Sequence, residues 1–287
     1  MAHPGPITVH VTGDPDEFLR DAGDLLESEP VVHSILASNV LLARRHPGRI
    51  PDPWWIELRR GARVVGVAMH TPPYPPHLPL SSPVLAVAVA RELADRGRPV
   101  DGVGGLRDGA VAFSDWWCAE KDLDADVVMD LGMYDLPRPA RLPFAVAGGL
   151  RPAIPADLDL VRGWLQDFHH EAHGPSAPPA PDPSPHVLEG RTAVWEVDGR
   201  PVSMCYATAP SGGVTRISGV WTPPGERGRG YASAVVATWS RHQQELGLRC
   251  MLLTDLANPT SNGIYQALGY RRIGDSVTLA FTSERSG

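Results

Sequence analysis

Two stretches that lie far apart in this chain read alike, and the likeness restricts its fold more than any single motif does. Residues 54–73, WWIELRRGARVVGVAMHTPP, and residues 194–210, VWEVDGRPVSMCYATAP, each run apolar strand, tight turn, apolar strand, then Thr or Ala ahead of proline. The turns fall at Arg60-Gly61 and Asp198-Gly199, and Asp-Gly marks a hairpin because glycine accepts the positive φ that the turn demands. A helical pattern precedes each hairpin, over 15–45 in the first case and 155–173 in the second. Two diverged copies of one α/β unit are therefore expected. The alternative is that amphipathic hairpins resemble one another without common design. The expected boundary falls near PFAVAGGL (143–150), giving domains of 1–146 and 147–287.

The second half continues with an interruption and then a regular alternation. GPSAPPAPDPSP (174–185) holds six prolines and is expected to be an extended loop inside the second unit. After the hairpin come a strand, GVTRISGVWT, a Gly/Arg loop, and a helix, YASAVVATWSRHQQELG, on which Tyr231, Val235, Trp239 and Leu246 share a face. LRCMLLTD reads as a buried strand. NPTSNGIYQALGY reads as a short helix capped by Asn258, opened by Pro259 and ended by Gly269. SVTLAF closes as an alternating strand.

Composition narrows the classes of function. A net charge of −7 argues against a general nucleic-acid binder or a polybasic membrane protein. Nothing approaches the run of about 18 apolar residues that a membrane helix requires. The start, MAHPGPITVHV, lacks the basic region and apolar stretch of a secretory signal. Three scattered cysteines, Cys118, Cys205 and Cys250, suit free thiols rather than a disulfide framework. A cytoplasmic protein that engages neither nucleic acid nor membrane is expected, with a homodimer possible.

In this acidic chain the Gly/Arg loop, TPPGERGRGYASA (222–234), gathers positive charge and flexible backbone at the start of a helix. Unpaired amides and the helix dipole favour an anion there, glycines let the backbone approach it, and arginines add charge. Phosphate is the natural guest. The Walker pattern fails because no GK[ST] follows, and a dinucleotide frame fails because Ser233 stands where its third glycine belongs.

Arg227-Gly228-Arg229-Gly230-Tyr231-Ala232 resembles the [QR]-x-x-G-x-[GA] signature of the GNAT superfamily of N-acetyltransferases. Asn258-x-x-Ser261-x-x-x-Tyr265-x-x-x-Gly269-Tyr270 resembles that family's second motif, in the right order and separated by helix and strand. The likeness spans roughly residues 149–282; the first half has HTPPYPPHLPLSS where a Gly/Arg loop would stand, and looks like a degenerate GNAT-like copy. The resemblance implies an α/β (α+β) fold of two tandem GNAT-like units, each a central mixed sheet flanked by helices. It implies acetyl-coenzyme A as acyl donor, no metal, and a small-molecule or peptide amine as acceptor. The alternative function is a non-catalytic acyl-coenzyme A sensor.

The same resemblance assigns roles. Arg227, Gly228, Arg229, Gly230, Tyr231 and Ala232 cradle the pyrophosphate. Val220, Trp221 and Thr222, which end the preceding strand, present backbone groups to the thioester carbonyl, while Trp221 also suits plain packing. Asn258 and Ser261 contact the cofactor arm, and Asn258 is equally an N-cap. Tyr265 protonates the departing thiolate, or is simply a core tyrosine. Many relatives carry a Glu on the strand before the loop, whereas GVTRISGVWT has no carboxylate. Glu171, Glu196 and Asp255 are the remaining candidates for the base, beside a water relay. Glu171 comes first because the helix ending in FHHEAHG borders the acceptor site in this family, although a solvated helix residue reads the same. HHEAH itself misses the zinc-protease HExxH pattern by one residue, since Gly174 stands where the second histidine belongs.

Overall fold

The computed structural model describes residues 5–174 and 179–283. Along the chain one order of elements occurs and then recurs: strand, two helices, three strands, helix, strand, helix, strand. The first pass opens with β1 (Ile7–Thr12), α1 (Pro15–Ser28), α2 (Ser34–Arg45), β2 (Trp54–Arg60) and β3 (Arg63–His70). It continues with β4 (His77–Leu78), α3 (Pro83–Asp95), β5 (Gly102–Leu106), α4 (Arg107–Lys121) and β6 (Asp124–Leu136). The second pass opens with β7 (Gly149–Pro152), α5 (Leu158–His173), α6 (Ser184–Leu188), β8 (Thr192–Val197) and β9 (Arg200–Ala207). It closes with β10 (Val214–Trp221), α7 (Tyr231–Glu245), β11 (Arg249–Asp255), α8 (Pro259–Leu268) and β12 (Arg271–Thr282). The likeness of the two hairpins thus extends to a recurring order of elements.

Contacts divide the chain into two compact units that interleave in sequence: 1–133 with 255–257 and 274–287, and 134–254 with 258–273. In the first unit β1, β2, β3 and β4 pair antiparallel in turn, and β4 then runs parallel to β5. The free edge of β5 is taken by the last strand of the chain, with Ser276 opposite Leu106 and Ala280 opposite Gly102. Side chains alternate across this sheet. Trp55, Val67 and Met69 pack with Phe18, Leu36 and Val40 of α1 and α2. Ile56, Leu58 and Ala68 pack with Leu85, Val89, Phe113 and Trp117 of α3 and α4, joined by Val277 and Leu279 of β12.

The second unit repeats the plan. Strands β7, β8, β9 and β10 are antiparallel in turn and β10 is parallel to β11. The end of β6, residues 134–136, belongs to this unit. Alternation along β9 sends Cys205 and Ala207 toward Val235 and Trp239 of α7, and Met204 toward Val161 and Leu165 of α5. At the β8–β9 turn Asp198 and Gly199 both take positive φ, 49° and 73°, the geometry that the Asp-Gly pair encodes.

Two local readings change. Leu246 caps α7 and is 62% exposed, so it does not share the buried face of Tyr231, Val235 and Trp239. Within the proline-rich stretch Ser184 and Pro185 open α6, because a proline in the first turn has no intrahelical partner to lose; residues 175–178 lie outside the described set.

Candidate active site

The site starts from a failure of strand pairing. β10 pairs with β11 through Val214, Thr215 and Arg216 only, opposite Arg249, Cys250 and Met251. On its other side the β9 register shifts: Ser218 faces Tyr206, but Trp221 faces Met204. Three steps along β10 thus match two along β9, which is a bulge, and bulges bend a strand away from its neighbour. Gly219 sits in it with φ of +58°, where a Cβ would lie 2.4 Å from the Tyr206 ring. Glycine is required there on both counts. Beyond Arg216 the parallel pair opens into a wedge.

Past Trp221 the chain makes one 3-10 turn, Pro224–Glu226, and enters α7 through Gly228 and Gly230. Both glycines are left-handed, with φ of +76° and +82°. Among the described residues the backbone N–H groups of 228–233 bond to no backbone carbonyl, as expected of a helix start lacking a side-chain cap. Gly228, Arg229, Gly230, Tyr231 and Ala232 therefore present a run of free amide donors at the positive end of a helix, while the Arg227 amide is taken by the Pro224 carbonyl at 3.3 Å. The Arg227 guanidinium lies 4.9 Å from the Trp221 ring centroid, and its Nε donates to the Thr222 carbonyl at 3.0 Å. Its Nη2 donates to Glu171 Oε2 at 2.8 Å. Arg229 reaches Glu226 at 2.9 Å.

Beneath the loop, Ser203 Oγ donates to the Trp221 carbonyl at 3.0 Å and lies 2.9 Å from Thr222 Oγ1. Ser203 is fully buried, and a lone serine on a hairpin strand carries no sequence signal for such a role. Val220, Tyr231 and Tyr265 share one hydrophobic cluster between the sheet and α7.

On α8, Asn258 Oδ1 accepts the Ser261 N–H at 3.0 Å, and Gly269 ends the helix at φ of +105°. Asn258 is thus an N-cap, and its amide NH2 has no partner among the described residues. Tyr134 on β6 donates its hydroxyl proton to Asn262 Oδ1 at 2.8 Å and receives Gln266 Nε2 at 3.3 Å. Tyr265 is 8% exposed and edge-on to Tyr270 at 6.0 Å. Its hydroxyl makes no hydrogen bond among the described residues. Burial, and then the neighbouring Cys205, push the phenol well above the ordinary tyrosine range, so it holds its proton at neutral pH.

Of the three candidate carboxylates, Glu171 pairs with the loop through Arg227. Glu196 accepts from Arg151 Nε at 2.6 Å, and Asp255 accepts the Ala257 N–H at 2.8 Å. Among the described residues no three His, Cys, Asp or Glu side chains are grouped as metal ligands, and no helix is long and apolar enough to cross a membrane.

Residues 158–270 match the model of the acetyltransferase (GNAT) family. Among solved structures, a GCN5-related N-acetyltransferase from Sphaerobacter thermophilus superposes with a TM-score of 0.60 at 12% identity, over 96% of each chain. A GNAT-family acetyltransferase from Colwellia psychrerythraea gives 0.56 at 13% identity, over 96% of this chain and 98% of its own. A GCN5-related N-acetyltransferase from Kribbella flavida gives 0.51 at 16% identity, over 85% and 95%. At these identities the likeness is one of fold. No curated protein sequence matches the chain.

Proposed function

Residues 158–270 form an acetyltransferase domain of the GNAT family, and on that premise we propose that this acyltransferase moves the acetyl group of acetyl-coenzyme A to an amine by direct attack in a ternary complex. The observation that carries the reading is the run of unbonded amides over 228–233, set behind two left-handed glycines where β10 has parted from β11. A pyrophosphate fits such a run, and the wedge gives the acyl arm a path beside β10.

The amine lone pair attacks the thioester carbonyl carbon; a C–N bond forms, the C–S bond breaks, and the sulfur leaves as thiolate. Tyr265 gives its hydroxyl proton to that sulfur; burial keeps the phenol protonated at neutral pH but also weakens it as an acid, so the transfer depends on the same apolar surroundings raising the basicity of the thiolate. Glu171 takes the proton lost by the amine. In the free protein Glu171 is held by Arg227, but both partners are about half exposed, and such pairs contribute at most about 1 kcal/mol. A pyrophosphate drawing Arg227 to itself releases Glu171, so the donor binds first. The first half, a degenerate GNAT-like copy without a Gly/Arg loop, lends residues 134–136 to the second unit.

Calorimetry with acetyl-coenzyme A, followed by free-thiol release across a panel of amines, tests this. Tyr265→Phe is expected to lower kcat about 100-fold or more while leaving the Kd for acetyl-coenzyme A unchanged. Absence of binding at millimolar donor refutes the reading; tight binding with no turnover on any amine makes the protein a sensor instead.

A further inference from the structure

The acceptor's chemistry is still open, and one side chain of the same domain bears on it. Arg216 occupies the last position at which β10 pairs with β11, so it stands where the wedge begins. Strand alternation puts it on the same face as Ser218, which is opposite Tyr206. That face is covered by Leu165, Trp164 and Phe168 of α5. Arg216 is half-buried, yet among the described residues its guanidinium has no hydrogen bond and no carboxylate partner. The other half-buried arginines of its unit, Arg151 and Arg191, each pair with an Asp or Glu. An unpaired guanidinium taken out of water is disfavoured until an anion meets it.

The neighbours are donors too. His186 lies against Tyr206 with ring centroids 4.4 Å apart. Arg191 Nη1 donates to His186 Nδ1 at 2.6 Å, which fixes the neutral tautomer with its proton on Nε2. Burial first, then the charges of Arg191 and Arg216, hold this imidazole down at about 4. Guanidinium, phenol and neutral imidazole thus gather on one sheet face, and none of them is an acid that would attract a simple polycation.

We propose that Arg216 binds a carboxylate of the acceptor, so that the substrate is a small amine carrying its own carboxylate, an amino-acid-like compound. The planar fork of an arginine suits a carboxylate in two parallel hydrogen bonds, and the position on β10 holds that carboxylate beside the wedge. The proposal rests on the acetyl-transfer reading for the identity of the amine, but not for the anion site itself.

The test uses the full chain, as wild type, Arg216→Met and Arg216→Lys, with the common amino acids and their carboxamides as matched acceptors. Wild type is expected to favour acids over amides, and Arg216→Met to raise KM for the acids about 10- to 100-fold and erase the preference. Arg216→Lys, which keeps charge but loses the fork, is expected to fall between them. A second readout needs no turnover: N-acetylated amino acids should raise the Tm of wild type and not of Arg216→Met. Equal use of acids and amides by wild type, or an unchanged preference in Arg216→Met, overturns the proposal. So does a Tm that no carboxylate raises more in wild type than in Arg216→Met. Loss of acetyl-coenzyme A binding in wild type would instead refute acetyl transfer, while the Tm comparison still decides the role of Arg216.

Discussion

Gly228 and Gly230 share a backbone conformation but not an environment, and substituting each by alanine separates the two reasons for glycine in the loop. At Gly228 φ is +76° and a Cβ would meet nothing within 4 Å. Alanine there is charged only for the left-handed conformation, roughly 1–2 kcal/mol. At Gly230 φ is +82° and the same atom would lie 2.6 Å from Phe144 Cε2 and 3.2 Å from Val146 Cγ2. Phe144 is half exposed, so its ring can shift, but only by opening the segment that packs on the start of α7. Overpacking of this kind typically costs about 1–3 kcal/mol, so Gly230→Ala is expected to lose roughly 2–5 kcal/mol in all. Urea unfolding of both alanine proteins beside wild type measures the difference, and calorimetry with acetyl-coenzyme A reports the geometry of the amides. Gly230→Ala should lose both stability and donor affinity, whereas Gly228→Ala should lose less of each. Equal stability losses would refute the claim that close packing, and not φ alone, demands glycine at 230.

Acid should destabilise the protein through two buried histidines. His70, whose Nδ1 accepts from Arg98 at 3.0 Å, and His186 are both held down at about 4, chiefly by burial. Above the ordinary value of about 6.5 neither state binds the proton; below it the unfolded chain does and the native one does not, so stability falls down to about pH 4 and then levels. Each histidine removes on the order of 2 kcal/mol between pH 6.5 and 5, and His70→Gln should abolish one share of that slope in urea titrations at the two pH values. Cutting the chain after residue 146 should leave the first half without β12, stripping Val277 and Leu279, which are 1% and 7% exposed, from its core. That is roughly 3–6 kcal/mol of apolar burial, so 1–146 is expected to unfold or aggregate and to recover when residues 274–283 are fused to it; a cooperative melt of 1–146 alone would contradict this.

Local chemistry is legible in the sequence. Asp198-Gly199 announces its turn, Asn258 with Pro259 announces a helix start, and Gly228 and Gly230 announce a backbone that must turn left before α7. In each case the residue's own side chain, or its lack of one, dictates the geometry. Gly219 carries a signal that a plain strand reading of GVTRISGVWT passes over, because a glycine inside an otherwise β-branched and apolar strand marks a bulge. Ser203 and Arg216 carry none: what matters in them is a missing or buried partner, and partners are set by packing. The same limit applies to β12. Alternation in SVTLAF tells which side chains face inward but not which strand lies alongside, and a single boundary at 146/147 assigns it to the nearer unit by default.

The two units interleave along the chain at the end of β6. Tyr134, Asp135 and Leu136 end the last strand of the first copy, yet they lie in the second unit. Tyr134 and Leu136 are 1% and 2% exposed in the core that also holds Tyr265 and Tyr231. Asp135 accepts Nε and Nη2 of Arg249 at 2.8 and 2.6 Å, at the start of β11. The Tyr134 hydroxyl, between Asn262 and Gln266, fixes the face of α8 next to Tyr265. Replacing these contacts with water would loosen the helix that carries the proposed acid and the strand that forms one wall of the wedge.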